Sequence, residues 1–95
     1  MGKKSIDEIL KATPSDFNDK PLVKALLLDR QGKWKESHEI AQDEKNAEGH
    51  LLHAYLHRKE GDIPNADYWY QKANTTRPNC TLEEEWLNIL KQFAK

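Results

Sequence analysis

Apolar residues recur at intervals of three and four along most of the chain, and this spacing predicts α-helices throughout. The strict alternation that is typical of half-buried strands is absent, so no strand is expected. Capping residues, prolines and glycines divide the pattern into six helices. Ser5 and Glu8 form a capping box for the first helix, a polar link leads to the second, whose start is marked by Asp19 and Pro21, and Asp62 is expected to cap the fifth. The predicted helices cover approximately residues 5–12, 21–31, 33–43, 47–60, 63–74 and 82–95.

Two of these boundaries are glycines that lead directly into the next helix. Gly32 follows the second predicted helix and Gly61 the fourth, which predicts two helical hairpins. The last helix begins with the capping pair Thr81 and Glu84 and has one apolar and one charged face. The predicted fold class is all-α, with two helical hairpins, a short N-terminal helix and a C-terminal amphipathic capping helix, in a single domain over residues 1–95.

Composition and charge exclude several classes of function. A chain of 95 residues with 37% hydrophobic residues can bury one small core but not a deep enclosed active site. The 15 lysines and arginines are interleaved with 16 acidic residues, so no nucleic-acid partner is predicted. No segment approaches the roughly 20 apolar residues of a membrane span, so no membrane partner is predicted. Cys80 has no second cysteine to pair with, which favours a cytoplasmic location.

Histidines are concentrated between residues 46 and 74, the stretch with the most distinctive side chains. At about 100° per residue, His50, His53 and His57 fall within roughly 60° of arc on one face of the fourth helix. His38, from the third helix, can join them. The stripe is therefore the main candidate for a binding site.

One interpretation of the stripe is structural. A neutral imidazole donates one hydrogen bond and accepts another, so neighbouring polar side chains can satisfy it. The candidate partners are Glu60, Asp62, Asp67, Tyr70 and Asn74. We call the histidines and their neighbours the histidine cluster, whether it is a structural network or a binding site. Its predicted members are His38, His50, His53, His57, Arg58, Glu60, Asp62 and Tyr70.

The other interpretation of the stripe is chemical. His53 and His57, at positions i and i+4, can reach one ion, and His38 or a carboxylate can complete the tetrahedral coordination that zinc prefers. The H-E-x-x-H pattern of metalloproteases is missing, as are a G-x-S-x-G motif and a glycine-rich phosphate loop. No enzyme activity is therefore predicted.

The second hairpin resembles the tetratricopeptide repeat. The motif's small, aromatic and proline positions are matched by Ala54, Ala66, Tyr70, Ala73 and Pro78. The first helix of the motif has large apolar residues at three positions, and this chain has His50, His53 and His57 there instead. The resemblance implies a peptide-binding groove on the first helices of the hairpins, with the candidate residues Glu48, Leu51, Tyr55, Arg58 and Lys59. Of these, Arg58 and Lys59 would hold a carboxylate.

A second resemblance covers nearly the whole chain. The segments GKWKESHEIAQ and HAYLHRKEGDIPNADYWYQKA are similar to those of a family of small bacterial proteins of unknown function. The resemblance implies no activity. It implies that the family is defined by Trp34, His38, Gln42, His53, His57, Arg58, Glu60, Gly61, Asp62, Asn65, Ala66, Tyr68, Trp69 and Tyr70.

Two functional hypotheses follow. The first is a non-enzymatic interaction module without a cofactor, which binds a protein or peptide and whose two-hairpin stack leaves an apolar edge for a homodimer. The second is a small metal- or ligand-binding protein in which His38, His53 and His57 hold zinc or another transition metal.

Overall fold

A computed structural model describes residues 5–94 of the chain, so the ends of the predicted domain, residues 1–4 and 95, lie outside the described residues. Within residues 5–94 there are helices and turns and no strand, which confirms the all-α prediction. The helices are α1 (Ile6–Lys11), α2 (Pro21–Arg30), α3 (Trp34–Asp43), α4 (Ala47–Lys59), α5 (Ile63–Lys72) and α6 (Leu82–Phe93), with a short 3-10 helix at Pro14–Phe17. None of these helices is long and apolar enough to cross a membrane.

Local capping explains where most helices begin. Ser5 and Thr81 each form the predicted capping box, with Glu8 and Glu84 respectively, at the starts of α1 and α6. Asp62 caps α5 as predicted. The helix α2 differs, because Lys20 occupies its N-cap without a side-chain hydrogen bond and the helix relies on Pro21 at its first position. The predicted start at Pro21 is confirmed, and Asp19 lies one residue before the N-cap.

The two predicted hairpins are present. α2 and α3 are joined through Gly32, and α4 and α5 through Gly61, with φ angles of +83° and +90° that only glycine adopts without strain. α3 also packs against α4, so α3, α4 and α5 lie side by side in antiparallel order. α6 crosses α4 and α2 and covers the core on the other side of α4.

The core is built mainly from α2, α4 and α6. Leu26, Leu52 and Leu56 are fully buried, and the Trp86 indole of α6 donates a hydrogen bond to the Leu26 carbonyl, 3.1 Å away. Phe17 is also buried, at 4% exposure, because the 3-10 helix turns it towards this cluster. Residues 13–20 were expected to be a polar link, so this core residue was missed. A single aromatic between polar neighbours carries no periodic signal.

A buried carboxylate ties α2 to α4. Asp29 is 1% exposed, accepts a hydrogen bond from the Tyr55 hydroxyl at 3.3 Å and forms an ion pair with Lys59 at 2.9 Å. Burial, reinforced by the carboxylate of Asp29, raises the pKa of Tyr55, so the phenol stays protonated and continues to donate.

A second buried carboxylate ties α6 to α4 and α5. Glu85 accepts a hydrogen bond from the Tyr70 hydroxyl at 2.6 Å and pairs with Arg58 at 2.7 Å. Arg58 also donates to the carbonyl of Cys80, at the segment that leads into α6. These contacts hold the capping helix in place and satisfy a charge that would be costly to bury alone.

Candidate functional site

Three imidazoles from two helices meet between α3 and α4. The ring centroids of His38 and His53 are 4.6 Å apart, those of His38 and His57 5.1 Å, and those of His53 and His57 4.8 Å. One ligand atom of each ring lies within 4.8 Å of the other two. We call these three residues the histidine triad. It has the members that the sequence predicted for a metal site.

Two tryptophan rings enclose the triad. Trp34 stacks on His38 with centroids 4.9 Å apart and an interplanar angle of 14°, and Trp69 stacks on His53 at 4.0 Å and 19°. The Trp34 indole donates to the Leu56 carbonyl at 2.9 Å, which fixes its orientation. The triad therefore has rigid aromatic walls on the α3 side and on the α5 side.

Hydrogen bonding does not account for the triad. Only His57 has a protein partner, since its Nδ1 lies 2.6 Å from the carboxylate of Glu60. Within the described part of the chain, no hydrogen bond is made to the ring nitrogens of His38 or His53. Glu60 was a predicted partner, but three of the others have different contacts: Asp67 pairs with Arg77, Tyr70 donates to Glu85, and Asp62 accepts from Asn65.

The surroundings of His38 and His53 favour their neutral imidazoles. Burial, together with the neighbouring His38, His57 and His50, lowers the pKa of His53 from 6.5 to about 4. Burial and the proximity of His57 also lower the pKa of His38. Neutral imidazole is the form that coordinates metal ions, so at neutral pH these two rings need not lose a proton before binding.

The triad opens onto a cleft of about 700 Å³ between α3, α4 and α5. Its volume is in the range of small-molecule sites in proteins. The remaining wall is formed by Gln42, Lys45, His50, Asn65, Trp69 and Lys72. His50, although on the same helical face as the triad, stands apart and lies against Trp69, with ring centroids 5.3 Å apart.

The predicted groove residues lie in two different environments. Tyr55, Arg58 and Lys59 make the contacts to Asp29 and Glu85 described above, so their polar atoms are engaged within the chain. Glu48 and Leu51 line a smaller cavity of about 310 Å³ between α4, α6 and the segment before α6. Three of the five predicted groove residues thus make contacts within the chain, to α2 and α6, and the other two line this cavity.

Helical spacing in the sequence connects several residues around the triad. Trp34 and His38 are four residues apart, as are Asn65 and Trp69, so each pair shares a helical face. That spacing could have placed Trp34 beside the histidines. No sequence signal places Lys45 and Lys72 at the same cleft, because they lie on different elements and meet only through the packing of α3 and α5 against α4.

Metal-free protein should lose stability as the pH falls from 6.5 towards 4. Because the pKa of folded His53 lies below its unfolded value, the unfolded state binds more protons in this window. The contribution of His53 to stability is complete above pH 6.5 and is lost by about pH 4. At ~1.4 kcal/mol per pKa unit, the difference between 6.5 and about 4 amounts to about 3–4 kcal/mol. Urea unfolding in the presence of chelator at several pH values measures it.

The matched variant for this experiment is His53→Gln, because carboxylates also titrate near pH 4. The wild type should lose more stability between pH 6.5 and 4.5 than the variant does. Two parallel stability curves would show that His53 is solvated and titrates normally in the folded protein.

Comparison of the chain with protein-family models, with curated proteins and with solved structures finds no match. The two resemblances given above therefore stay predictions from the sequence. The histidine triad and its cleft are the features on which a functional conclusion can be built.

Proposed function

We propose that this protein binds a divalent transition-metal ion, with Zn²⁺ as the principal candidate, through His38, His53 and His57. The observation that carries the proposal is the convergence of three imidazoles, two of them without a hydrogen-bond partner in residues 5–94, at the base of an open cleft. Imidazole nitrogen is a preferred ligand of zinc, and sites with three protein ligands leave one position for water or another ligand.

The spacing fits such an ion after a small adjustment. Zinc–nitrogen bonds of about 2.0–2.1 Å place tetrahedral ligands about 3.4 Å from one another. In the triad the ligand atoms lie within 4.8 Å of one another. Side-chain rotations that move each ligand atom by about 1 Å would bring all three to the distance that one zinc ion requires. The i, i+4 placement of His53 and His57 keeps both rings on one face of a rigid helix while this happens.

Glu60 supports the same interpretation. Metal-binding histidines usually give their second ring nitrogen to a carboxylate or carbonyl, which fixes the tautomer and makes the ligand more basic. The carboxylate of Glu60 contacts Nδ1 of His57 at 2.6 Å, so Nε2 is the nitrogen that can face an ion. A partly exposed carboxylate thereby fixes the orientation of a buried ring, which supports the proposal.

A protein or peptide partner receives less support, because the basic and aromatic residues of the predicted groove are bound to α2 and α6.

A cytoplasmic setting, which a single cysteine favours, belongs to the same proposal. In the cytosol the thiol of Cys80 stays reduced, and Cys80 lies outside the triad, since its carbonyl is bonded to Arg58 on the far side of α4.

Competition with a chromophoric chelator tests the proposal on the full chain without a polyhistidine tag. The wild-type protein should bind one Zn²⁺ per chain. The variant His53→Gln should bind it at least 100-fold more weakly, because the central ligand is replaced by an amide that zinc rarely uses. Zn²⁺ should also raise the unfolding temperature of the wild type more than that of the variant. An ion that binds only the folded state stabilises it by about 2.7 kcal/mol at a concentration 100 times the dissociation constant.

His50→Gln is the matched control. It removes one imidazole from the same helix and the same cleft but leaves the triad intact, so its Zn²⁺ affinity should stay within about threefold of the wild type. An equal loss in both variants would mean that zinc binds loosely to surface histidines. No binding by the wild type would leave the triad as an aromatic packing cluster and would overturn the proposal.

A further inference from the structure

The wall of the cleft above the triad has an unusual balance of charge. Apart from the histidines and Trp69, it is made of two lysines and two amides: Lys45, Lys72, Gln42 and Asn65. Among residues 5–94 no carboxylate lines this wall, although 16 of the 95 residues are acidic. The carboxylate of Glu60 contacts Nδ1 of His57 but does not line the cleft. A cleft lined by one sign of charge raises the local concentration of ligands of the opposite sign.

Both lysines are available to a ligand. Lys45 lies in the link between α3 and α4, and Lys72 is the last residue of α5. Neither forms an ion pair within residues 5–94, whereas Arg58, Lys59 and Arg77 do. The ammonium of Lys72 lies near two aromatic rings, 5.7 Å from the centre of Trp69, which belongs to the cleft wall, and 5.6 Å from that of Tyr68, which does not.

The helix order brings the two lysines to one end of the cleft. Since α3, α4 and α5 are antiparallel neighbours, the end of α3, the start of α4 and the end of α5 lie at the same end of the bundle. Lys45 and Lys72 are therefore at one mouth, while His57 and Asn65 are at the other end of α4 and the beginning of α5. A ligand in the cleft would lie with its anionic end towards the lysines and the triad beneath it.

We infer that the cleft binds a small oxyanion ligand, carrying a phosphate or carboxylate group, that coordinates the metal ion of the histidine triad at its open position. The inference rests on the proposed function, because it requires the metal. Three imidazoles leave the bound ion with its full positive charge, and a fourth ligand that is anionic reduces that charge. Lys45 and Lys72 hold the same oxyanion from the other side, and the face of Trp69 contacts the rest of the ligand.

Zn²⁺ has a filled d shell and no visible absorption, so Co²⁺ is used in its place. The visible absorption spectrum of Co²⁺ then reports changes in its ligands. The Co²⁺-loaded full chain is titrated with inorganic phosphate and, separately, with acetate, at constant ionic strength. A saturable change in the visible Co²⁺ spectrum is expected with at least one of the two anions. A response to phosphate alone assigns the ligand to the phosphate class, and a response to acetate alone assigns it to the carboxylates.

Two double variants locate the anion. Lys45→Met with Lys72→Met should weaken the responding anion at least tenfold while Co²⁺ affinity stays unchanged, because the triad is untouched. Lys35→Met with Lys91→Met removes the same charge from exposed positions outside the cleft and should leave anion affinity within about twofold. An equal weakening in both would show that only net charge matters, which contradicts the inference.

The result separates the inference from the proposed function. If the wild type does not take up Co²⁺ or Zn²⁺, the metal proposal fails and the inference fails with it. If the metal binds and neither anion changes the spectrum, the metal proposal stands and the inference alone is overturned.

Discussion

Replacing Arg58 with methionine should lower the free energy of unfolding by about 3–5 kcal/mol, the range for breaking a buried ion pair by removing one partner. The variant leaves the carboxylate of Glu85, which is 3% exposed, with the Tyr70 hydroxyl as its one remaining hydrogen-bond partner among residues 5–94. The contact from Arg58 to the carbonyl of Cys80 is lost as well. Urea unfolding at pH 7.5 measures the change.

A double-mutant cycle separates the charge from the packing. Glu85→Gln keeps the size of the side chain and removes its charge, so adding it to Arg58→Met should cost less than the sum of the two single changes. Arg77→Met is the matched control, because Arg77 and Asp67 pair at 2.9 Å, close to the 2.7 Å of Arg58 and Glu85, but are 44% and 48% exposed. That variant should change stability by less than about 1 kcal/mol. Equal effects of Arg58→Met and Arg77→Met would contradict the structure around Glu85.

Gly49→Ala should destabilise the protein by about 3 kcal/mol, the upper part of the usual range for overpacking. Helix propensity alone predicts the opposite sign, since alanine is better than glycine inside a helix by about 1 kcal/mol. A β-carbon at Gly49 would lie 1.9 Å from the carbonyl oxygen of Glu44 and 2.7 Å from its β-carbon. The obstacle is backbone, so it cannot rotate away, and the link between α3 and α4 would have to move.

Thermal and urea unfolding of Gly49→Ala, with Glu48→Ala as the control, test the predicted loss of stability. Glu48 precedes Gly49 in the first turn of α4 and is exposed, so its replacement should change stability by no more than about 0.5 kcal/mol. Because the link sets α3 against α4, Gly49→Ala should also weaken Zn²⁺ binding by separating His38 from His53. An alanine variant that is as stable as the wild type, or more so, would show that the link is not packed on Gly49.

The arrangement of helices was predictable because its causes are local. Capping pairs such as Ser5 with Glu8 act across three residues, and the turns at Gly32 and Gly61 require only a residue that tolerates positive φ. The histidine triad was predictable for a related reason, since two of its members are i, i+4 neighbours on one helix. The third, His38, was named from its place in the adjoining helix.

Contacts between residues distant in sequence decided the rest. Arg58 and Lys59 look like groove residues until their partners Glu85 and Asp29, 27 and 30 residues away, are known. Phe17 looks like a link residue until the 3-10 helix turns it inwards. The sequence by itself determined the helices, their hairpins and the helical face that carries the histidines, because capping and periodicity are short-range. Only the tertiary structure decided which charges are buried and paired and which face the cleft, because burial depends on how the helices pack against one another.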